Sequence, residues 1–343
     1  MKACDTRRLG RAGIEITALG LGSAPFGGLF RPIAAETAMA TIEAAWDAGL
    51  RYFDTAPMYG MTRCEHLVGQ VLREKERSAF RLSTKVGRIM ANERPGRPLP
   101  PPLPANPFDS GWANGLPFRE AFDYSYDAVM RSYDDSQQRT GLDRFDLLLV
   151  HDIGRVTHGE RQDKHWHDLT SGGGFRALRV LRDAGLIAGF GLGVNEWQVI
   201  ADAMEEADLD ACLLAGRYTL LDQDAAETFL PLAAKQGVDI IVGGVFNSGI
   251  LVRGPADRPK FNYVDAPPEI VEKATRLQAV CRRYDVPLAA AALQFPQRNP
   301  AVACVVIGAA SPDEVRQNVS WYEQAIPDEL WTALAEEGLI PSA

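Results

Sequence analysis

Four side chains whose types suit proton transfer lie at or just after the carboxyl ends of predicted strands. Asp54, Lys85 and His151 each end a short apolar run, and Tyr59 follows Asp54 by five residues. Neighbouring parallel strands lie about 4.8 Å apart, so the ends of successive strands converge at one rim of a parallel sheet. Each residue alone also fits an ordinary role, as a loop aspartate, a snorkelling lysine or a core histidine. Four such residues at or just after equivalent strand ends favour a reactive site over four separate ordinary roles.

The four residue types together can tune a proton donor and acceptor. A free tyrosine has a pKa of about 10, which is too high for easy proton exchange at neutral pH. An ammonium group beside Tyr59 would favour the phenolate, and a carboxylate paired with that ammonium would hold it in place. Lys85 and Asp54 would supply these two charges. His151, as a neutral imidazole, would hydrogen-bond a substrate oxygen and orient it.

These residues belong to a regular alternation of strand-like and helical segments. The strand-like runs are Ala18 to Gly22, Arg51 to Thr55, Phe80 to Lys85, Asp146 to His151, Ala188 to Val194, Ala211 to Tyr218, Asp239 to Phe246 and Val302 to Gly308. The helical patterns are Ala35 to Ala48, Cys64 to Arg73, Phe122 to Arg139, Phe175 to Ala184, Glu196 to Glu205, Ala225 to Lys235, Glu269 to Tyr284 and Pro312 to Val319.

Eight apolar strands, each followed by a helix, predict an all-parallel sheet that is buried on both faces. The number eight favours closure into a (β/α)8 TIM barrel, of the α/β class, over an open sheet. The run Arg8 to Ile16 predicts an N-terminal β-hairpin that closes the barrel bottom. Because no break in composition divides the chain, we expect one domain over residues 1–343.

Two connections, residues 87–118 and 152–172, are too long for plain turns and follow strand ends on the active-site face. Long loops without secondary structure are usually functional or disordered. The first contains a proline-rich run from Arg94 to Pro104, followed by Trp112 and Phe118, which favours a substrate-covering role. The second is rich in His, Asp and Gly.

Bulk properties narrow the classes of function. The net charge of -9, without a long basic tract, argues against a nucleic-acid surface. The start MKACDTRRLG lacks the apolar core of a signal peptide, and no stretch of 18 apolar residues occurs, so we expect a cytoplasmic protein without a membrane span. Five scattered cysteines predict reduced thiols, and no cluster has metal-ligand spacing, including His158, His165 and His167. The oligomeric state stays open.

The combined motifs resemble the aldo-keto reductase family over nearly the whole chain. The resemblance rests on the hairpin, on DTAPMYG at Asp54 to Gly60, on STKVG at Ser83 to Gly87, on the LLLVHD run, and on IGAASPDEVRQN at Ile307 to Asn318. It implies an oxidoreductase that uses a nicotinamide cofactor and no metal. In that family Tyr59 would be the general acid/base, Lys85 and Asp54 would lower its pKa, and His151 would orient the substrate.

The resemblance also implies a cofactor site after the later strands. Its candidate residues are Asn195, Tyr218 as a stacking ring, Phe246, Asn247, Ser248, Gly249, Gly308, Ala309, Ser311, Glu314 and Asn318. The helix that follows Gly308 offers its N-terminus to phosphate groups. NADP-preferring relatives carry basic residues near Gly308 and Glu314. Because an acidic side chain repels a 2′-phosphate and accepts hydrogen bonds from a ribose diol, we expect NAD, with NADP as the alternative and Arg316 nearby.

A narrower resemblance concerns the substrate. The runs Phe122 to Asp127, Ala215 to Gln223, Phe246 to Leu251 and Ala291 to Pro296 are similar to an aldose 1-dehydrogenase subgroup, which also contains pyridoxal dehydrogenases. We expect oxidation of the anomeric carbon of an aldose of the L-fucose, D-arabinose or L-galactose type to a lactone. The alternatives are oxidation of pyridoxal to 4-pyridoxolactone, general aldehyde or ketone reduction, and a non-catalytic cofactor-binding regulatory subunit. The expected pocket residues are Met58, Trp112, Phe118 and Asp152.

Overall fold

The structure, a computed structural model, describes residues 1–29, 31–93, 111–255 and 258–341. Its strands in chain order are β1 (Thr6–Leu9), β2 (Ile14–Thr17), β3 (Leu19–Gly22), β4 (Tyr52–Asp54), β5 (Arg81–Val86), β6 (Arg88–Ala91), β7 (Arg119–Phe122), β8 (Leu147–His151), β9 (Gly189–Val194), β10 (Ala211–Ala215), β11 (Asp239–Gly243), β12 (Lys260–Phe261), β13 (Val264–Asp265) and β14 (Val302–Gly308).

Eight parallel strands close into a barrel in the order β3, β4, β5, β8, β9, β10, β11 and β14, with β14 paired back to β3. The predicted barrel is therefore confirmed. Two of its strands end three residues earlier than predicted, β10 at Ala215 instead of Tyr218 and β11 at Gly243 instead of Phe246. Each is followed by a glycine with a positive φ, 72° at Gly216 and 67° at Gly244, which turns the chain out of the sheet.

The N-terminal strands β1 and β2 form an antiparallel hairpin. Leu9 and Ile16 from this hairpin are buried in one apolar cluster with the barrel residues Leu147, Ala211 and Cys304. The hairpin thus fills one end of the barrel with apolar side chains, as predicted. A second, larger apolar cluster lies between the barrel and the surrounding helices.

The helices of the described residues surround the barrel. In chain order they are α1 (Ala35–Asp47), α2 (Arg63–Leu72), α3 (Tyr126–Thr140), α4 (Arg155–His158), α5 (Gln162–Leu169), α6 (Gly174–Asp183), α7 (Gln198–Glu206), α8 (Phe229–Gln236), α9 (Ile250–Arg253), α10 (Pro268–Arg283), α11 (Leu288–Gln294), α12 (Pro312–Glu323) and α13 (Asp328–Glu336). The third predicted helix begins late, at Tyr126, because Phe122 pairs with Arg88 in the β6–β7 hairpin.

Both long connections contain more structure than the sequence indicated. In residues 87–118, the hairpin strand β6 comes first, while the proline-rich run up to residue 110 lies outside the described residues. Residues 152–172, expected to lack secondary structure, contain α4, a 3-10 helix at Gly159–Arg161, and α5. His158 and His165 are buried there, with ring centroids 4.4 Å apart.

Within the described part of the chain, no helix has the length and apolar character needed to cross a membrane. The prediction of one domain stays a prediction.

Candidate active site

An ion pair between Asp54 and Lys85 lies at the centre of the barrel mouth. The Lys85 Nζ donates to both Asp54 carboxylate oxygens, at 2.9 Å for Oδ1 and 2.7 Å for Oδ2, and to the Thr55 carbonyl at 3.0 Å. The side chains are 1% exposed for Lys85 and 4% for Asp54. Two charges so far from water are tolerated only because each satisfies the other.

The neighbouring strands fix the orientation of this pair. Ser83, which is level with Asp54 in the β4–β5 register, donates its hydroxyl to Asp54 Oδ1 at 2.6 Å. On the other side, a Cβ at Gly193 would lie only 3.1 Å from the Lys85 Cε. Glycine at position 193 therefore leaves room for the long lysine side chain to reach across the barrel.

Tyr59 lies on the loop that follows β4, next to His151 and Trp112. Its ring centroid is 5.8 Å from each of those two rings, and the Lys85 Nζ lies 4.8 Å from the Tyr59 centroid. The loop turns at Gly60, which has a φ of 62°, and a Cβ there would lie 2.6 Å from the Cα of Gly27. A larger residue at this close contact would move the tyrosine.

The charges around Tyr59 act against the effect expected from the sequence. Burial, and then the negative charge of Asp54, raise the pKa of Tyr59 well above its ordinary value. The expectation that the Lys85–Asp54 pair lowers the pKa of Tyr59 is not met. The physical reason is that the Lys85 charge is already balanced by Asp54, which leaves burial as the dominant influence. Tyr59 is therefore a phenol, ready to donate.

His151 is uncharged at this site. Burial is the largest cause that lowers its pKa well below the ordinary value, and the positive charges of Arg88 and Lys85 act in the same direction. Its Nε2 lies 3.5 Å from Asp152 Oδ2. The Tyr124 hydroxyl donates to the His151 carbonyl at 2.8 Å and fixes the end of β8. A neutral imidazole can orient a substrate oxygen, as the sequence predicted.

A cavity of about 90 Å³ opens among these residues. Its walls are formed by Ala24, Leu29, Met58, Tyr59, Lys85, Trp112, His151, Asp152, Gly193, Val194, Asn195, Leu213, Ala215 and Tyr263. The predicted pocket residues Met58, Trp112 and Asp152 are among them. Phe118 is not, and its side chain is 37% exposed on the surface. A larger and more open groove of about 1000 Å³ shares Asn195 with this cavity.

The candidate phosphate-binding end lies at the N-terminus of α12. Ser311 caps this helix by accepting from the Glu314 backbone N–H at 3.3 Å, and Gly308 just before it is exposed. Ala309 and Asn318 are buried. The Glu314 carboxylate accepts from the Ala310 N–H at 2.7 Å and pairs with Arg31 at 3.0 Å. No local pattern predicts the contact between Arg31 and Glu314, because the two residues lie 283 positions apart.

The turn after β11 supplies further polar groups. Asn247 and Ser248 both have positive φ, and Gly249 ends the 3-10 helix that they begin. Asn247 is 4% exposed, and its Oδ1 has no hydrogen-bond partner among the described residues. Phe246 packs edge-on against Trp321. The orphaned buried acceptor of Asn247 suits a polar group of a dinucleotide, and the N-terminus of α12 suits an anionic one.

Tyr218, predicted as a stacking ring, lies elsewhere. It is 5% exposed, and its ring packs on Phe295 at 5.1 Å in the larger apolar cluster. Its position two residues beyond the Gly216 turn removes it from the cavity wall. Asn195, in contrast, lines the cavity, and its side chain donates to the Ala215 carbonyl at 3.2 Å.

Two residues of the site were missed by sequence reasoning. Arg88, the first residue of β6, is almost completely buried and contacts Asp152, a cavity residue. Tyr263 reaches the cavity from the turn between β12 and β13, where its N–H donates to the Ser248 Oγ at 2.9 Å. Arg88 follows Lys85 by three residues, and a cation just after a predicted strand end is a usable signal. Tyr263 offers no such signal, because the strands that flank it have only two residues each.

No group of three or more His, Cys, Asp or Glu side chains placed to hold a metal ion occurs in the described ranges.

Residues 18–337 match the Aldo/keto reductase family, and the chain belongs to it. It is 62% identical over 340 residues to a pyridoxal 4-dehydrogenase of Microbacterium luteolum, with 99% of each chain covered. It is 39% identical to a D-threo-aldose 1-dehydrogenase of a Pseudomonas species, covering 96% of this chain and 97% of the relative, and 27% identical to an L-galactose dehydrogenase of Arabidopsis thaliana, covering 93% and 88%.

Solved structures show the same fold. A glycerol dehydrogenase from Gluconobacter oxydans superposes with a TM-score of 0.74 at 20% identity, covering 99% of this chain and 98% of that one. An aldo-keto reductase from Bacillus halodurans in its holo form gives 0.73 at 23% identity, with 99% and 97% covered. The chain is thus an oxidoreductase of a family that uses NAD(P)H.

Proposed function

We propose that this protein oxidises the cyclic hemiacetal form of pyridoxal to 4-pyridoxolactone with a nicotinamide cofactor. The observation that carries the proposal is the 62% identity to a pyridoxal 4-dehydrogenase across 99% of both chains. The site supports it, because Tyr59, Trp112 and Tyr263 give the cavity aromatic walls that suit a flat ring. The aldose reaction favoured by the sequence motifs becomes the second candidate.

The proposed reaction removes a hydride and a proton from one carbinol group. The oxidised nicotinamide, when bound, supplies the hydride acceptor. Tyr59 takes the proton from the hemiacetal hydroxyl as the C–H bond breaks and the carbonyl of the lactone forms. His151, uncharged, donates a hydrogen bond to the same oxygen and keeps it in line with Tyr59.

Lys85 and Asp54 act on Tyr59 through position and charge. The Lys85 ammonium lies under the tyrosine ring, and Asp54 prevents the ammonium from moving toward the cavity. Because the pKa of Tyr59 is raised in the ligand-free protein, the phenolate that accepts the proton is scarce at neutral pH. Oxidation is therefore favoured by high pH, and the reverse reduction, which uses the phenol, is favoured by neutral pH.

We further propose that NAD is preferred over NADP. Glu314 lies in the first turn of α12, where its carboxylate would repel a 2′-phosphate and accept from a ribose diol. Arg31 pairs with Glu314 at the surface, which weakens this repulsion without removing it, since the exposed pair is screened by solvent. Glu314 therefore remains the group that decides between the two cofactors.

The second candidate, oxidation of an aldose at its anomeric carbon, has its own support. Asp152 and Asn195 line the cavity and can bond sugar hydroxyls. The 39% identity to a D-threo-aldose 1-dehydrogenase extends over nearly all of both chains. The chemistry at Tyr59 would be the same for both substrates.

The test is the initial rate of reduced-cofactor formation with purified protein and NAD, across pyridoxal, L-fucose, L-galactose, D-arabinose and L-xylose. We expect kcat/KM for pyridoxal to exceed that of each sugar by about 10²-fold, the discrimination that a shaped pocket provides. A sugar with the higher kcat/KM would refute the pyridoxal assignment and support the aldose one. If no reduced cofactor forms with any of the five substrates, both the pyridoxal and the aldose assignments are refuted.

A further inference from the structure

A buried arginine lies directly behind the active-site cavity. Arg88 is 2% exposed, and its guanidinium donates to Asp152 Oδ2 at 2.5 Å and to Glu120 Oε2 at 2.9 Å. The same guanidinium contacts the Met58 sulfur at 2.6 Å and lies 5.0 Å from the Phe122 ring centroid. An arginine so enclosed is a fixed cation, and its carboxylate partners are fixed with it.

Of its two carboxylate partners, only Asp152 lines the cavity. The Asp152 backbone has a φ of 45°, and its N–H donates to the Gly193 carbonyl at 3.0 Å. Burial raises the pKa of Asp152, and the positive charge of Arg88 opposes that shift. One guanidinium balances one of the two carboxylates, so the group of three carries a surplus negative charge beside the cavity.

The position of Asp152 relative to His151 indicates which substrate group it meets. Its Oδ2 lies 3.5 Å from the His151 Nε2, the atom that would hold the reacting oxygen. A carboxylate accepts hydrogen bonds and cannot donate them, so its partner must be a donor. A substrate hydroxyl close to the reacting oxygen, on the carbon next to the reacting one or on the carbon after that, can reach this carboxylate at hydrogen-bond length, about 3 Å.

Both candidate substrate classes carry such a hydroxyl. In an aldose it is the hydroxyl on the carbon bonded to the anomeric one. In pyridoxal it is the ring hydroxyl, which lies one carbon further away but on the same side of the molecule as the reacting oxygen. The Asp152 carboxylate itself would favour the protonated ring hydroxyl over its anion, because like charges repel.

We propose that Asp152, held in place by Arg88, accepts a hydrogen bond from the substrate hydroxyl nearest to the reacting oxygen and so selects substrates that have one. The assignment to the pyridoxal ring hydroxyl rests on the proposed function. The assignment to a neighbouring hydroxyl does not. The selected substrates are cyclic hemiacetals that carry a further hydroxyl near the reacting oxygen. Pyridoxal and aldoses both belong to this class, and both would make the same contact with Asp152.

The test compares each substrate with its analogue that lacks this hydroxyl: pyridoxal with 3-deoxypyridoxal, and L-fucose with 2-deoxy-L-fucose. In the wild-type protein we expect kcat/KM to fall by about 10- to 100-fold for the deoxy compound, the effect of one charge-assisted hydrogen bond. In Asp152→Asn the ratio between substrate and analogue should fall to within about threefold of one, since an amide accepts more weakly.

Glu120→Gln is the matched control, because it removes the other carboxylate of Arg88 and leaves the cavity wall unchanged. It should keep the wild-type ratio. The ratio is measured within each variant, so a partial loss of folded protein does not alter it. The KM for NAD is measured in parallel.

Three results would overturn the assignment of Asp152. The first is a wild-type ratio near one for the preferred substrate, and the second is a ratio that Asp152→Asn leaves unchanged. The third is an effect of Asp152→Asn on the KM for NAD alone, which would assign the carboxylate to the cofactor. A wild-type protein that prefers L-fucose but discriminates against 2-deoxy-L-fucose would overturn the proposed function and leave Asp152 in its role.

Discussion

Replacing Lys85 by methionine should strongly destabilise the fold, because it leaves the Asp54 carboxylate buried without its cation. The Asp54 side chain is 4% exposed, and its carboxylate would keep the hydrogen bond from the Ser83 hydroxyl at 2.6 Å but lose both bonds from Lys85. Removing one partner of a buried ion pair costs about 3–5 kcal/mol. Because a whole domain is stable by only about 5–15 kcal/mol, the loss should be evident in urea unfolding followed by tryptophan fluorescence.

The double variant Asp54→Asn, Lys85→Met should recover most of that loss. The amide of asparagine can still accept from Ser83, and no charge remains buried, so we expect a net cost of about 1 kcal/mol or less relative to wild type. Lys164→Met is the control, since Lys164 pairs with Asp168 at 2.6 Å but is 71% exposed. Exposed pairs contribute about 0.3–0.5 kcal/mol. If Lys85→Met is no more destabilising than Lys164→Met, the reasoning about the buried pair is wrong.

Three further predictions concern the reaction, the cofactor and acid stability. Tyr59→Phe should lower kcat by about 10²- to 10⁴-fold and leave the Kd for NAD unchanged by fluorescence titration; a wild-type kcat would exclude Tyr59 as the acid/base. Glu314→Gln should raise kcat/KM with NADP by about tenfold relative to NAD, the effect of about 1.4 kcal/mol of removed repulsion, whereas Asp313→Asn should not; equal ratios in both variants would argue against Glu314. Burial lowers the pKa of His158 to about 3 from 6.5, so the unfolded chain binds a proton that the folded one does not, and stability should fall as the pH drops from 6.5 toward 3. His158→Gln should reduce that slope by up to about 1.4 kcal/mol per pH unit, with the exposed His167→Gln as control, and an unchanged slope would contradict the assignment.

The positions of the three strand-end residues could be predicted because parallel strands bring equivalent ends together. Asp54, Lys85 and His151 required only the strand boundaries, and these follow from apolar runs of five to eight residues. Tyr59 followed because a proline ends the run after Asp54 and leaves the tyrosine on the loop.

Other features of the site depend on contacts that no local pattern reveals. Arg88 meets Glu120 and Asp152 across separations of 32 and 64 residues. Tyr218 was assigned to the cofactor site by resemblance, as a stacking ring after the sixth strand, but beyond the turn at Gly216 its ring packs on Phe295.

The pKa of Tyr59 was assigned the wrong direction for a related reason. The sequence indicated which charges are near the phenol, but not how completely Lys85 is neutralised by Asp54, nor how deeply the hydroxyl is buried. The neutralisation of Lys85 by Asp54 and the burial of the hydroxyl arise only in the folded chain, and together they determine the direction of the pKa shift of Tyr59.

The product formed from pyridoxal decides whether the enzyme oxidises the cyclic hemiacetal. With wild-type protein and NAD, we expect one 4-pyridoxolactone for each reduced cofactor formed. The lactone is measured by chromatography, and the reduced cofactor by its near-ultraviolet absorbance in the same sample. The lactone must form directly, because the hemiacetal ring is intact when the hydride leaves. Reduced cofactor accompanied by the open-chain acid, or no reduced cofactor at all, would contradict the account.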